Sequence, residues 1–257
     1  MLLVSDVHGE FEALAEVAGR GEVLLILGDL INLLDYRTNQ GIIADVMGSE
    51  FASEVGDRRG RGDYAGMRSL WGERVLEGGT ELRQAIESAI RAEYGRVTEA
   101  LRGTTGFCTF GNVDRPEMLQ ASLPEGWQFV DGVAVVVDGM RVGFVGGGVA
   151  TPIGASGEVT EELMEAKLES IGPVEILCSH LPPAIDPLRT DVITGRGERG
   201  SRPLLDYIRR QQPRYHFFGD VHQPQASIWR VGKTTCRNLG YFRATKRPVS
   251  LDGWDRP

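Results

Sequence analysis

The chain predicts an α/β fold with parallel strands, and three observations carry that prediction. Its first 27 residues read strand, helix, strand, and short apolar runs recur through the rest of its 257 residues. The residues that directly follow those runs are repeatedly Asp, Asn or His. A chain of this length buries most of its unfolded surface in one core, so a single domain spanning 1–257 is expected.

Taken in order, residues 2–5 form a short apolar strand. Phe11, Leu14, Ala15 and Ala18 then recur at helical spacing and stop at Gly19, and residues 23–27 form a second apolar strand. Such a βαβ unit places parallel strands in a sheet covered by helices. From about 41 to 103 the pattern turns helical and polar. Leu82, Ile86, Ile90, Tyr94, Val97 and Leu101 step by three or four, with Thr80 placed to cap them, which predicts a helical insertion. Residues 107–110 return to strand, and 133–137 with 141–145 flank Asp138-Gly139 as a hairpin. A helix is predicted over 160–171, stopped by Gly172-Pro173. Strands are predicted at 174–178, 215–218, 226–231 and 234–239, and Ser201 caps a helix carrying Leu204, Leu205 and Ile208 with Pro203 in its first turn. The Gly/Arg-rich stretches 56–66 and 194–202 read as mobile loops.

Composition narrows the function classes. Lys and Arg number 28 against 36 Asp and Glu, a net charge of -8, so no overall positive field exists to hold nucleic acid or an anionic membrane. Cys108, Cys178 and Cys236 fit neither a paired disulfide framework nor a CxxC site, and a reducing, cytoplasmic setting is the default expectation. The opening MLLVSDVHGE lacks a basic n-region, and no apolar run approaches the roughly 18 residues of a membrane span.

The chemistry gathers after the strands. Asp6 and His8 follow the first, Asp29 the second, Asn112 and Asp114 the run at 107–110, His180 the run at 174–178, and Asp220 with His222 the run at 215–218. Ligands of α/β sheets bind outside the carboxyl ends of strands, so these side chains are expected to converge on one crevice. Gly28, Gly111 and Gly219 each precede one of them, as suits a tight turn where backbone closely approaches an ion or phosphate. Carboxylate oxygen and imidazole nitrogen together suit divalent ions such as Mn, Fe, Co or Zn. Two such ions about 3.5 to 4 Å apart polarise phosphoryl oxygens and generate hydroxide at neutral pH.

In this order, DVH at 6–8, GDLIN from Gly28, GNVD from Gly111, SH at His180 and GDVH from Gly219 resemble the five-block signature of the calcineurin-like metallophosphoesterases, across nearly the whole chain. The resemblance implies a four-layer α/β/β/α sandwich of two mixed sheets flanked by helices. It implies that Asp6, His8 and His222 hold one metal and Asn112 and His180 the other, with Asp29 bridging. Hydroxide formed between the metals would attack phosphorus while the metals and Asn112 steady the charge; Asp29 and Asn112 are thus the catalytic candidates, and a small phosphorylated molecule is the expected substrate. Asp220 stands where the family usually has histidine. Either it coordinates, hardening the site toward Mn or Fe over Zn, or it turns away and leaves the second metal loose. Val113 stands where many members have the histidine thought to protonate the leaving group, which favours phosphodiesters or esters with good leaving groups. The rival expectation is a scaffold of the same fold that has lost turnover and binds a protein partner.

Blander roles compete for several residues. Asp114 reads as a capping or supporting residue, Asn32 as a turn residue, and Cys178 as core. His216 lies within a strand, packed or hydrogen-bonded, with proton donation as the alternative. The arginines at 189, 196, 199 and 202 form either a solvated surface or, through Arg189 and Arg199, contacts to substrate phosphate.

Overall fold

The computed structural model describes residues 1–152, 154–193 and 195–251, with the Arg196 side chain also outside the described set. Strand β1 (Leu2–Val4), helix α1 (Phe11–Ala18) and strand β2 (Leu24–Leu27) form the expected βαβ unit, with β1 and β2 parallel. Helices α2 (Ile42–Met47), α3 (Ser49–Arg61) and α4 (Tyr64–Leu101) fill the next stretch. Residues 56–61, expected in a mobile loop, instead complete α3. Phe51 and Val55 bury one face of that helix, Glu54 pairs with Arg58 one turn on, and the stop comes only at Gly62, whose φ of 73° is left-handed. Helix α4 breaks at Gly79 (φ 57°), one residue before the Thr80 expected to start it.

The chain continues through β3 (Gly106–Thr109), α5 (Pro116–Ser122) and β4 (Trp127–Phe129), the last two too short to leave a periodic signal. Strands β5 (Val133–Val137) and β6 (Met140–Val145) make the expected hairpin, its two turn residues Asp138 and Gly139 at φ 50° and 80° as a type I′ turn requires. A short pair, β7 (Gly148–Val149) and β8 (Glu158–Val159), leads into α6 (Glu161–Ile171), capped by the Thr160 side chain. Then come β9 (Ile176–Ser179), α7 (Asp186–Arg189), β10 (Thr190–Asp191), β11 (Arg196–Gly197) and α8 (Arg202–Gln211), whose first turn Ser201 caps as expected. Within the second predicted loop β11 forms and pairs with β10 just before it, and Thr194 lies outside the described residues. Strands β12 (Tyr215–Phe218), β13 (Ile228–Val231) and β14 (Thr234–Asn238), helix α9 (Phe242–Thr245) and strand β15 (Val249–Ser250) complete the order.

Two mixed sheets result, ordered β15-β1-β2-β3-β4 and β13-β14-β12-β9-β6-β5. Alternation along the strands separates their faces. Leu3, Leu25 and Leu27 of the first sheet pack with Phe144, Ile176, Cys178 and Phe217 of the second, forming the core between them. Leu2, Val4 and Ile26 face the other way, into the cluster that holds α1 and the second half of α4. Met164, Leu168, Leu204 and Ile208 cover the far side of the second sheet from α6 and α8. The architecture is therefore the α/β/β/α sandwich expected. The first half of α4, with α2 and α3, builds a separate apolar cluster around Ile43, Phe51, Val55 and Met67.

Candidate metal centre

The loops after β1, β2, β3, β9 and β12 meet at one edge of both sheets. Four of the loop residues, Asp6, His8, Asp29 and Asp220, hold left-handed backbone at φ 60°, 42°, 55° and 67°. Such angles are costly for side chains other than glycine and concentrate where surrounding structure imposes them. The loops are tied to one another, with Asp6 N–H donating to the Gly28 carbonyl, His8 N–H to the Asp29 carbonyl and Asp220 N–H to Asp6 Oδ2, and Asp114 holds the Asp29 loop. Its buried carboxylate accepts hydrogen bonds from the backbone N–H groups of Asp29 (2.7 Å), Leu30 (3.1 Å) and Gly111 (2.9 Å), tying the β2 loop to the β3 loop. The supporting role expected of Asp114 is what its geometry provides. Burial, reinforced by the Asp29 charge, pushes its carboxyl up to about 6.

Within this frame the structure brings all seven sequence-derived metal candidates together. His222 Nε2 lies 3.4 Å from Asp6 Oδ1, and His8 Nε2 lies 3.9 Å from the same oxygen. Asp29 Oδ2 sits between two imidazoles, 3.5 Å from His8 Nε2 and 3.4 Å from His180 Nε2. His180 Nε2 also faces Asn112 Oδ1 at 3.1 Å and Asp220 Oδ1 at 3.7 Å. Donor atoms about 2.1 Å from a common ion lie roughly 3 to 3.5 Å apart, and the separations here run from 3.1 to 3.9 Å. Asp6, His8 and His222 form one donor group and Asp6, Asp29 and His180 another. The Asp220 side chain turns toward this set, not away from it.

The residues fit cations on three further grounds. Asp6 Oδ1 and His8 Nε2 are buried with no hydrogen-bond partner among the described residues, which is costly unless something else binds them. His180 Nδ1 donates to the Leu27 carbonyl at 2.8 Å, which leaves Nε2 as the nitrogen facing the crevice, the one a cation would bind. The field is also strongly anionic. Burial pulls the His180 ring down, yet Asp29, Asp6 and Asp220 outweigh it and raise the ring well above its usual range. Burial raises Asp29, but His180 and His8 hold its carboxyl well below the usual carboxylate range. Burial, with Asp29 and Asp6 adding repulsion, pushes Asp220 up to about 7. The crevice thus favours positive charge.

The remaining candidates divide. Val113 contributes its backbone, whose N–H donates to Asp29 Oδ1 at 3.1 Å, and its side chain lines the crevice. His216 is wholly buried and held by Ser179. That hydroxyl donates to the Leu181 carbonyl, so His216 Nε2–H donates to Ser179 Oγ at 2.7 Å. The packed alternative is the one the structure shows, and burial lowers the ring's pKa to about 3. Cys178 is core, as expected. Arg189 is not brought to the crevice. Its guanidinium is engaged by Asp186 (2.6 and 2.9 Å) and the Glu198 carbonyl (3.0 Å), and it lines a separate hollow near α6 and α8. Arg199 donates to the Ala150 carbonyl at 3.1 Å and lines both that hollow and a cavity bordering Asn112 and Asp220.

Sequence reasoning missed the crevice's own cations and aromatics, Arg37, Arg59, Tyr36 and Tyr241. The Tyr241 ring stacks on His222 with centroids 3.9 Å apart and planes 8° from parallel. Tyr241 follows a strand end as the other site residues do, so a signal for it existed. Arg59 carried none, because only the packing of α3 places it on this wall.

A family model described as calcineurin-like phosphoesterase matches residues 1–224. One solved crystal structure aligns over 94% of this chain and 90% of its own with a TM-score of 0.59 at 16% identity. The crystal structure of the Thermus thermophilus protein TT1561 aligns over 96% of each chain with a TM-score of 0.52 at 13% identity. At such identities the likeness speaks for the fold alone. No curated protein matches the chain.

Proposed function

The chain belongs to the calcineurin-like phosphoesterase family, whose general activity is metal-dependent phosphoester hydrolysis, and on that premise we propose that it is a phosphodiesterase using two divalent ions, with Mn favoured. The observation that carries the proposal is the cluster around Asp29 Oδ2, where imidazole and carboxylate atoms converge at metal-ligand spacing and two buried polar atoms lack any other partner. We assign Asp6, His8 and His222 to one ion, Asn112, His180 and Asp220 to the other, and Asp29 to both. A bound ion pair would supply an activated water and neutralise phosphoryl charge.

The chain's own groups account for the rest. Three carboxylates in the donor set make it oxygen-rich, which favours Mn or Fe over Zn. Asn112 faces His180 and presents an amide where phosphoryl oxygens would gather, steadying charge as it develops. Arg59 and Arg37 on the same wall attract an anionic ester. Val113 offers no proton to a leaving group, and His216, sealed behind Ser179, cannot reach one. Substrates whose leaving group departs without a protein acid, and diesters in particular, suit this arrangement best. The substrate is proposed to be a small molecule, in a cytoplasmic setting. Among the described residues no helix is long and apolar enough to cross a membrane.

The test is Mn-dependent hydrolysis of an activated aryl phosphodiester and the matching monoester by wild-type protein and Asp29→Ala. Turnover that favours the diester and vanishes in the variant is expected. A folded wild type inactive with every divalent ion would instead support the partner-binding scaffold.

A further inference from the structure

Beside the metal crevice lies a second cavity of about 190 Å³, and the two share seven lining residues, among them Tyr36, Arg59, Val113 and Glu198, so they open into each other. Their chemistry differs. The crevice is walled by the donor set, whereas the far wall of the cavity is Ile43, Val55, Met67 and Trp71, from α2, α3 and α4. Ile43, Val55 and Met67 belong to the apolar cluster of these helices, and the Trp71 ring is held edge-on by Phe51 at 5.2 Å. Two of the polar groups at the margin, Glu158 and Arg199, are already engaged. Glu158 accepts from the Thr151 backbone at 2.7 Å and from its hydroxyl, and Arg199 donates to Ala150. At the neck between crevice and cavity the Arg59 guanidinium lies over the Tyr36 ring, 4.3 Å from its centroid.

A hollow with one apolar wall beside a polar reaction site is stabilised by a group that lays an apolar face against that wall. A hollow of about 150 Å³ lined by aliphatic and aromatic side chains suffices for a benzene ring. Trp71 and Tyr64 supply ring faces and edges, and Met67 a polarizable sulfur, all of which favour an aromatic occupant. We infer that this cavity is the subsite for an aromatic substituent of the phosphodiester, seated against Trp71 and Met67 while Arg59 at the neck meets the phosphate. The inference rests on the phosphodiesterase reading of the crevice. It also gives the helical stretch a task, since α3 and α4 supply both the apolar wall and the cation.

The test holds the leaving group constant and varies the other substituent, comparing p-nitrophenyl phenyl phosphate with p-nitrophenyl methyl phosphate on the Mn-loaded protein. The wild type should prefer the phenyl ester by about tenfold or more in kcat/KM, chiefly through KM. Trp71→Ala should bring the ratio close to one, and Arg59→Gln should raise KM for both esters by similar factors. Should Trp71→Ala fail to fold, Trp71→Leu keeps an apolar wall while removing the ring, and the ratio should still fall. A wild-type ratio near one, or one that survives both Trp71 variants, overturns the subsite. Calorimetry of phenylphosphonate and methylphosphonate separates this outcome from failure of the enzyme reading. Tighter, Trp71-dependent binding of the phenyl compound supports the subsite even without turnover, and equal binding of the two refutes it.

Discussion

In the metal crevice Asp6, His8, Asp29 and Asp220 all carry left-handed backbone, whereas between residues 42 and 101 only glycines do. The crevice loops take angles their residues disfavour, and they keep them because each is hydrogen-bonded to the next, Asp6 to Gly28, His8 to Asp29, Asp220 to Asp6 and Asp29 to Asp114. The α2–α4 stretch follows local rules instead. Gly62 ends α3, Asp63 caps α4 by accepting from the Gly66 N–H, and Glu54 pairs with Arg58 along one face. The geometry of the crevice thus comes from tertiary constraint on its backbone, while the neighbouring wall keeps ordinary helical backbone and is joined through side-chain packing. A substitution that costs little in the second region should be severe in the first.

The largest test of this contrast is Asp29→Ala. Loss of the carboxylate that lies between His8 and His180 should lower turnover by on the order of a thousandfold, with bound metal falling in parallel and the fold retained by circular dichroism. Metal content and rate both near wild type would break the assignment of Asp29. Next is Gly28→Ala. Gly28 has φ +93°, and an added Cβ would meet Gly111 N at 2.3 Å, so a loss of roughly 3 kcal/mol or more in urea denaturation is expected. A stability loss below about 1 kcal/mol would mean that the crevice relaxes and is not so constrained.

His216 sharpens the contrast through pH. The folded ring titrates at about 3 and the unfolded ring near 6.5. Between these values the unfolded chain binds a proton that the native state does not, so stability is fully present above 6.5 and declines as pH falls toward 3, by up to a few kcal/mol. His216→Phe should remove that part of the acid sensitivity. Identical pH profiles of melting temperature would show that burial of this ring contributes nothing. The smallest effect expected is Gly60→Ala on α3, where an added Cβ meets nothing within 4 Å. Stability should rise by about 0.5 to 1 kcal/mol, as for any glycine inside a helix. A destabilised Gly60→Ala would place this helix under the same constraint as the crevice.

The legible parts of the molecule were those encoded within a few residues. The βαβ opening, the hairpin at Asp138-Gly139, the helix ending at Ile171 and the cap at Ser201 rest on local pattern, and each stands where expected. Strands β4 and β15 were illegible because two or three residues cannot show a period, and both owe their existence to a neighbour, β3 and β1. Residues 56–61 misled because glycine and arginine density argues for a loop, while the buried contacts of Phe51 and Val55 keep the helix going.

What the sequence determined on its own was the gathering of candidates: Asp6, His8, Asp29, Asn112, Asp114, His180, Asp220 and His222 each follow an apolar strand, and parallel strands send their carboxyl ends to one edge whatever the loops between them do. Only the tertiary structure decided that Asp220 turns toward His180, that Arg189 commits its guanidinium to Asp186, and that Arg59, Tyr36 and Tyr241 complete the wall. Those outcomes depend on how helices and loops far apart in sequence pack, and packing is a property of surfaces that no single segment contains.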